Sequence, residues 1–212
     1  MKYLDEGFYY KVYDIDNGRV YKKLQSYWFS FFKVYNFCRQ RNGWSIFKSI
    51  ISAHKATIGE RKILESMKNK MVGIPVSFFA NPIFENKLNY TQDKVISLED
   101  FFIKNSLDDN RKIIDGYVEL VKSLWSYGIH DKAYKFQTNY GVDATNKVCF
   151  FDFGECYFSK EKVIESIKSK KWLTRNSYKK WKDAELKKYY KDHMTKLMLE
   201  ENINNNWGLL LK

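Results

Sequence analysis

The spacing of apolar and polar positions changes several times along the chain, and each change marks an element. Residues Leu4 to Tyr13 read as a turn followed by a strand, Asp16-Asn17-Gly18 is a strong hairpin signal, and Arg19–Leu24 follows as a second strand. Alternation with period two puts Val20 and Lys22 on one face of that strand. From Tyr27 to Ala53 the period becomes helical, with Trp28, Phe31, Phe32 and Tyr35 recurring at that spacing, followed by Phe37, Trp44, Ile46, Phe47, Ile50 and Ile51. Asn42-Gly43 divides this stretch into two short predicted helices. Another helix is predicted from Lys55 to Met71, with Glu60, Leu64 and Met67 on one side, ended by Gly73-Ile74-Pro75. Val76–Phe79 and Lys87–Tyr90 read as strands, with Asn81-Pro82 turning between them.

In the second half, Ser97 reads as an N-cap with Asp100 at N3, and Asn110–Tyr127 as a long amphipathic helix ending at Gly128. Beyond it come a short strand at Tyr140–Val142, a turn at Asp143–Asn146 and an apolar strand at Val148–Phe151. Helices are predicted over Val163–Trp172 and Ala184–Leu199. Asn202–Asn206 reads as a frayed, low-complexity tail, with docking of Trp207 to Leu211 as the alternative.

The stretch from Gly128 to Glu155 gathers the chemistry. Asp131 and Asn139 lie on one predicted loop, and Asp152 stands at the end of the apolar strand, leading Asp152-Phe153-Gly154. Two carboxylates and an amide around the ends of two short strands suit a hard divalent cation, which takes oxygen ligands and keeps several waters.

Asp-Phe-Gly after a strand, with Asn139 thirteen residues before Asp152, resembles the protein-kinase-like superfamily. Val20-Tyr21-Lys22 is similar to the family's V-x-K strand, and Glu60-Arg61-Lys62-Ile63-Leu64 to the E-x-x-I-L of its αC helix. Of the family's G-x-G-x-x-G only the middle glycine, Gly7, is present; Asp5 and Tyr10 occupy the other two positions. His130-Asp131 stands for H-R-D without the arginine, and Asp131 precedes Asn139 by eight residues where the family has five, a three-residue expansion. The resemblance implies an α+β fold with two lobes. A small antiparallel-sheet N-lobe would span residues 1–95, with a helical insertion at 27–53, and a reduced, mainly helical C-lobe would span 96–212.

The resemblance also implies ATP- and Mg2+-dependent transfer of a γ-phosphoryl group to a hydroxyl. In that scheme Asp131 accepts the hydroxyl's proton, Lys22 clamps the α/β-phosphates and Glu60 fixes Lys22. Asn139 and Asp152 hold the metal. Gly7 covers the phosphates, and Gln92, Asp93 and Lys94 stand where a hinge meets adenine. Either Lys132 or Lys135 could touch the γ-phosphate. His130 reads as a structural hydrogen-bond partner and Cys156 as packing. The basic aromatic insertion resembles that of lipopolysaccharide core heptose kinases, making a glycolipid sugar the implied acceptor; a protein acceptor, as for a secreted effector kinase, is the alternative.

Charge adds a local feature. The formal net charge is +12, yet residues 27–59 hold five Lys/Arg and no acid, and residues 160–196 hold thirteen basic and five acidic residues. The first of these segments can be read as packing on the small lobe or as a basic amphipathic face for an anionic membrane. Three cysteines without a CxxC argue against zinc and a disulfide framework. Neither a signal-peptide core nor an apolar run of about 18 residues is present, so the expected location is the cytoplasm, with delivery elsewhere by a system the sequence does not show as the alternative; the heptose-kinase resemblance implies the inner-membrane face. Two non-catalytic readings stand beside the kinase: a pseudokinase, and a basic aromatic module for nucleic acid.

Overall fold

The computed structural model describes residues 1–86 and 88–211, without the side chains of Asn176 and Ser177. It is mixed α/β with small antiparallel sheets, and it divides into two compact units: Met1–Val76 with Asn81–Lys94, and Ser77–Ala80 with Val95 onward.

The first unit contains β1 (Lys2–Glu6), β2 (Tyr10–Asp14), β3 (Arg19–Leu24), α1 (Tyr27–Gln40), α2 (Ile46–Lys70), β4 (Ile83–Phe84) and β5 (Tyr90–Asp93). Its five strands form one antiparallel sheet in the order β1-β2-β3-β5-β4. The β2–β3 turn follows from its sequence: Asp16 and Gly18 both take positive φ, and Ile15 N–H donates to the Arg19 carbonyl at 3.2 Å. The register sets Val20 opposite Gln92 and Lys22 opposite Tyr90, and all four side chains are buried. Cross-strand partners share a face, so this is one buried face of the central strand pair.

Ser26 and Ser45 cap α1 and α2, their hydroxyls accepting from Phe29 and Lys48 N–H. Gly43, at φ +62°, makes the break between the helices. The expected second break near residue 53 does not occur. Helix α2 runs 25 residues without interruption, because Ala53-His54-Lys55 carries neither a cap nor a breaker. The insertion expected at 27–53 therefore has no end of its own and merges with the helix that carries Glu60.

Val76–Phe79 is a short 3-10 helix and not a strand. Pro75 precedes it, and Ala80 and Asn81 both take positive φ behind it, so the chain turns before a ladder can start. The strand expected at Lys87–Tyr90 begins outside the described residues. Glu85 N–H donates to the Asn89 carbonyl at 2.9 Å, and pairing starts at Tyr90.

The second unit contains β6 (Ile96–Ser97), α3 (Leu98–Lys104), α4 (Leu107–Ser126), β7 (His130–Asp131), α5 (Phe136–Asn139), β8 (Tyr140–Val142), β9 (Val148–Phe150) and β10 (Cys156–Tyr157). After these come α6 (Lys160–Lys168), α7 (Lys171–Thr174), α8 (Asn176–Lys180), α9 (Ala184–Leu197) and α10 (Glu200–Asn206). Its strands make two small antiparallel sheets, β6-β8-β9 and β7-β10. Ser97 caps α3 as its position predicts, accepting from Asp100 N–H at 3.1 Å. Helix α4 starts three residues ahead of the expected Asn110 because Ser106 is its cap. The core is aromatic: Phe136 stacks on Tyr190 at 4.2 Å, and Tyr117 meets Tyr140 edge-on at 4.8 Å. The tail is ordered, contrary to the frayed reading. Ile203 on α10 is fully buried, and Gly208 and Leu210 donate to the Trp125 and Ser126 carbonyls at the end of α4.

Candidate active site

Burying a charge is expensive unless it is paired or hydrogen-bonded, so the few buried charges mark where a fold tolerates that cost. Among the described residues, the buried Lys, Arg, Asp and Glu side chains are Lys22, Glu60 and Asp131. Of the first unit's pair, Lys22 sits mid-sheet with its ammonium 5.6 Å from the Tyr90 ring centroid. Glu60 belongs to the buried stripe of α2 with Thr57, Leu64 and Met67. Gln92, on the same sheet face as Lys22, is 1% exposed, and its side-chain oxygen has no hydrogen-bond partner among the described residues.

The other first-unit candidates are engaged structurally. Gly7 N–H closes the β1–β2 turn on the Tyr10 carbonyl at 2.9 Å, and its carbonyl accepts from Gln25 and Lys33. Asp93 binds Arg19 and Asn81, while Lys94 pairs with Asp14 at 2.7 Å. The Asp93 and Lys94 side chains thus strap the sheet.

In the second unit, α4 ends at Ser126 and Gly128, with positive φ, turns the chain into β7. Asp131 pairs with Cys156 across the β7–β10 ladder. Its Oδ1 accepts from Ala133 N–H at 2.8 Å, and its buried Oδ2 has no hydrogen-bond partner among the described residues. Burial raises its pKa to about 7. Glu155 and Asp152 add to the rise, while the Ala133 N–H and Lys135 oppose it. His130 is held neutral by the same burial, its pKa lowered to about 3. Trp125 Nε1–H donates to His130 Nδ1 at 2.9 Å, which leaves the ring proton on Nε2. This is the structural role its sequence position suggests.

The loop after Asp131 folds back on the Asp-Phe-Gly end. Lys132 N–H donates to the Glu155 carbonyl at 2.9 Å, and Lys135 pairs with Glu155 at 3.0 Å. Burial disfavours the Lys135 ammonium, but Glu155, then Asp152 and Asp131, outweigh it and raise its pKa. The Asn139 carbonyl accepts from both Phe151 N–H (3.0 Å) and Asp152 N–H (3.2 Å). The two predicted metal residues are therefore bound backbone to backbone, with the Asn139 side chain buried and Asp152 exposed. One amide and one carboxylate make too few ligands for a closed metal cage. They fit an ion such as Mg2+ that retains water and completes its shell on substrate oxygens. Among the described residues no cluster of three or more His, Cys, Asp or Glu could hold a metal without such help.

The sequence reading missed two supports of this loop. Tyr134, at φ +51°, is buried with its hydroxyl 2.5 Å from Ser166 and its ring edge-on to His130 at 4.9 Å. It lies in the stretch where the loop is longer than the kinase pattern, so the extra length carries an anchoring ring. The Lys135–Glu155 bridge was the second. Opposite charges flanking a proposed metal pair were its only signal.

No family model matches the chain, and no curated protein matches it. Among solved structures it is similar to WbdD. A high-resolution WbdD crystal structure is 13% identical, with a TM-score of 0.45 over 92% of this chain and 46% of that one. A co-crystal of WbdD with the kinase inhibitor LY294002 is 13% identical, with a TM-score of 0.43 over 91% and 45%. A third structure, described as the bifunctional kinase-methyltransferase WbdD, is 14% identical, with a TM-score of 0.38 over 88% and 42%. The chain spans less than half the length of each.

Proposed function

We propose that this chain is a phosphotransferase of the protein-kinase-like fold, moving the γ-phosphoryl group of ATP to a hydroxyl with Mg2+ as cofactor. The observation that carries the reading is the distribution of buried charge: Lys22, Glu60 and Asp131 are the residues to which phosphoryl transfer gives a task. Lys22 binds the α/β-phosphates and Glu60 holds its ammonium in place. The buried Gln92 amide lies on the Lys22 face, in the segment assigned to adenine. Asp131 takes the proton of the acceptor hydroxyl as the new O–P bond forms and the bond to the β-phosphate oxygen breaks, releasing ADP. A carboxylate with a pKa near 7 suits that transfer at neutral pH. Asn139 and Asp152 would hold Mg2+, which supplies charge neutralisation on the phosphates when bound. The acceptor is a hydroxyl on a glycolipid sugar or on a protein.

The test is thermal stabilisation by MgATP together with transfer of label from γ-labelled ATP. Wild type should be stabilised and should transfer label; Asp152→Ala and Lys22→Met should each remove the stabilisation. Stabilisation without transfer to any glycolipid or protein acceptor would make the chain a pseudokinase. No stabilisation at all, with tight salt-sensitive oligonucleotide binding, would make it a nucleic-acid module. Partition of the label between glycolipid and protein identifies the acceptor class.

A further inference from the structure

We propose that the α1–α2 hairpin is a docking face for an anionic membrane surface, a role independent of the phosphoryl-transfer reading. The helices turn small residues inward: Ser30, Val34 and Cys38 on α1, and Ser49, Ala53 and Thr57 on α2 are buried. Phe31, Tyr35 and Trp44 pack half-buried against this seam, but other large apolar residues point outward. Trp28 is 64% exposed and Phe32 55% on α1, while Phe47 is 80% exposed and Ile51 54% on α2. Each pair is spaced i, i+4, so each helix presents an apolar row. Tyr27 joins the rows, stacking on Phe31 while its hydroxyl lies 2.6 Å from His54 Nδ1. A free protein gains nothing from exposing apolar surface of this kind, and such patches mark interaction sites.

Charge selects the occupant. The hairpin carries Lys33, Arg39, Arg41, Lys48 and Lys55 with no acid from residue 27 to 59. Among the described residues only Lys33 of these five has a carboxylate partner, Glu6. Lys48 lies 4.5 Å from the Trp44 ring centroid and Arg41 5.7 Å from that of Phe37. Apolar rows flanked by cations laid along aromatic rings match the boundary between acyl chains and anionic headgroups. A second copy of the chain would bring cations against cations. The face interleaves its rings with exposed Ile46, Ile50 and Ile51, which offer a nucleic acid neither a stacking ring nor a hydrogen bond but insert readily among acyl chains.

The test is co-sedimentation of the full chain with vesicles of phosphatidylcholine alone or mixed with phosphatidylglycerol. Wild type should bind the mixed vesicles far better. Replacing two cations, Arg41→Gln with Lys55→Gln, should weaken that binding by about 30-fold. Phe47→Ser with Ile51→Ser should weaken it by about tenfold or more. All four side chains are exposed, so both variants should keep the wild-type circular dichroism spectrum and melting temperature. Asp152→Ala should bind vesicles as wild type does, which separates failure of this proposal from failure of the phosphotransferase reading. Absent vesicle binding, or binding that survives the Phe47/Ile51 change, overturns the proposal. Loss in the charge variant alone, matched by equal loss of duplex-oligonucleotide binding, reassigns the face to nucleic acid.

Discussion

Asp131 combines two demands that pull against each other. In the proposed reaction it must be ionised to take a proton, yet burial favours the neutral acid and raises its pKa from 3.8 to about 7. Activity should therefore rise with pH through about 7. Its contribution to stability has the opposite sign. Between the unfolded value near 4 and the folded value near 7 the native state binds more protons, so this contribution is full below about pH 4 and lost as pH rises through 7. His130 works the other way: its folded pKa of about 3 lies below the ordinary 6.5, so its contribution is present above about 6.5 and lost on acidification. The two partly cancel between pH 4 and 6.5, which makes a difference measurement the right readout. We expect Asp131→Asn to lower kcat by about 10²–10⁴-fold while leaving MgATP stabilisation intact. In urea titrations its advantage over wild type should grow from pH 4.5 to 8, by on the order of 4 kcal/mol at most. An advantage that does not change with pH would mean Asp131 ionises freely in the folded protein. The sequence could point to Asp131 through its neighbours His130 and Asn139. It could not reveal the raised pKa, because burial causes it, and the groups within electrostatic reach of this carboxylate include Tyr117 on α4 and Tyr190 on α9, both distant in sequence.

At the scale of elements, legibility followed the locality of the signal. Strand Arg19–Leu24 has its expected bounds because the Asp16-Asn17-Gly18 turn and two-residue alternation are encoded within the hairpin. The Ser97 cap is equally local. Val76–Phe79 was misjudged because its aromatic composition reflects burial and not pairing: Phe79 is fully buried against Phe150 and Phe153, edge-on to the latter at 5.7 Å. Gly141 tests how the short strands hold the candidate metal pair. It lies on β8 two residues after Asn139, and a Cβ there would stand 2.7 Å from both the Ile96 carbonyl and Val95 Cγ2, and 3.2 Å from the Phe151 ring. The Ile96 carbonyl is backbone and cannot rotate away, so β6 and β8 must separate. Gly141→Ala should cost about 1–3 kcal/mol and should weaken MgATP stabilisation beyond that loss, because the Asn139–Asp152 backbone link sits at the end of the same strand. Gly59→Ala is the control. Nothing lies within 4 Å of its would-be Cβ, and in a helix interior it should be neutral or stabilising by up to about 1 kcal/mol. Equal loss of stability in the two variants would contradict this account.

At the scale of the whole chain, composition announced the basic segments but not which side chains face water. The aromatic run of α1 could be read as core or as surface, and helical period alone does not choose between them, because either face of such a helix can be buried. The small residues Ser30, Val34 and Cys38 decided it, since close helix packing selects for size as well as polarity. The C-terminal tail shows the same limit. Asn-rich composition suggests fraying, yet one buried apolar residue and two backbone hydrogen bonds are among the contacts that dock it, beside the Lys168–Glu200 ion pair. Ile203 is fully buried, Gly208 N–H reaches the Trp125 carbonyl at 2.8 Å and Leu210 N–H reaches that of Ser126 at 2.9 Å. These carbonyls belong to the last turn of α4, where backbone acceptors lack helical partners, and the chain passes from there through Gly128 to Asp131. Removing residues 200–212 should therefore do more than shorten the protein. The burial of Ile203 and the two carbonyl bonds together contribute about 3 kcal/mol, which corresponds to a drop in Tm of roughly 6–12 °C for a chain of this size. Because the lost contacts stand at the entrance to the loop, the truncated chain should also lose phosphoryl transfer at temperatures where it remains folded. Leu209 is 67% exposed, so Leu209→Ser should change neither property. A truncation that leaves Tm unchanged would show that α4 holds its end without the tail.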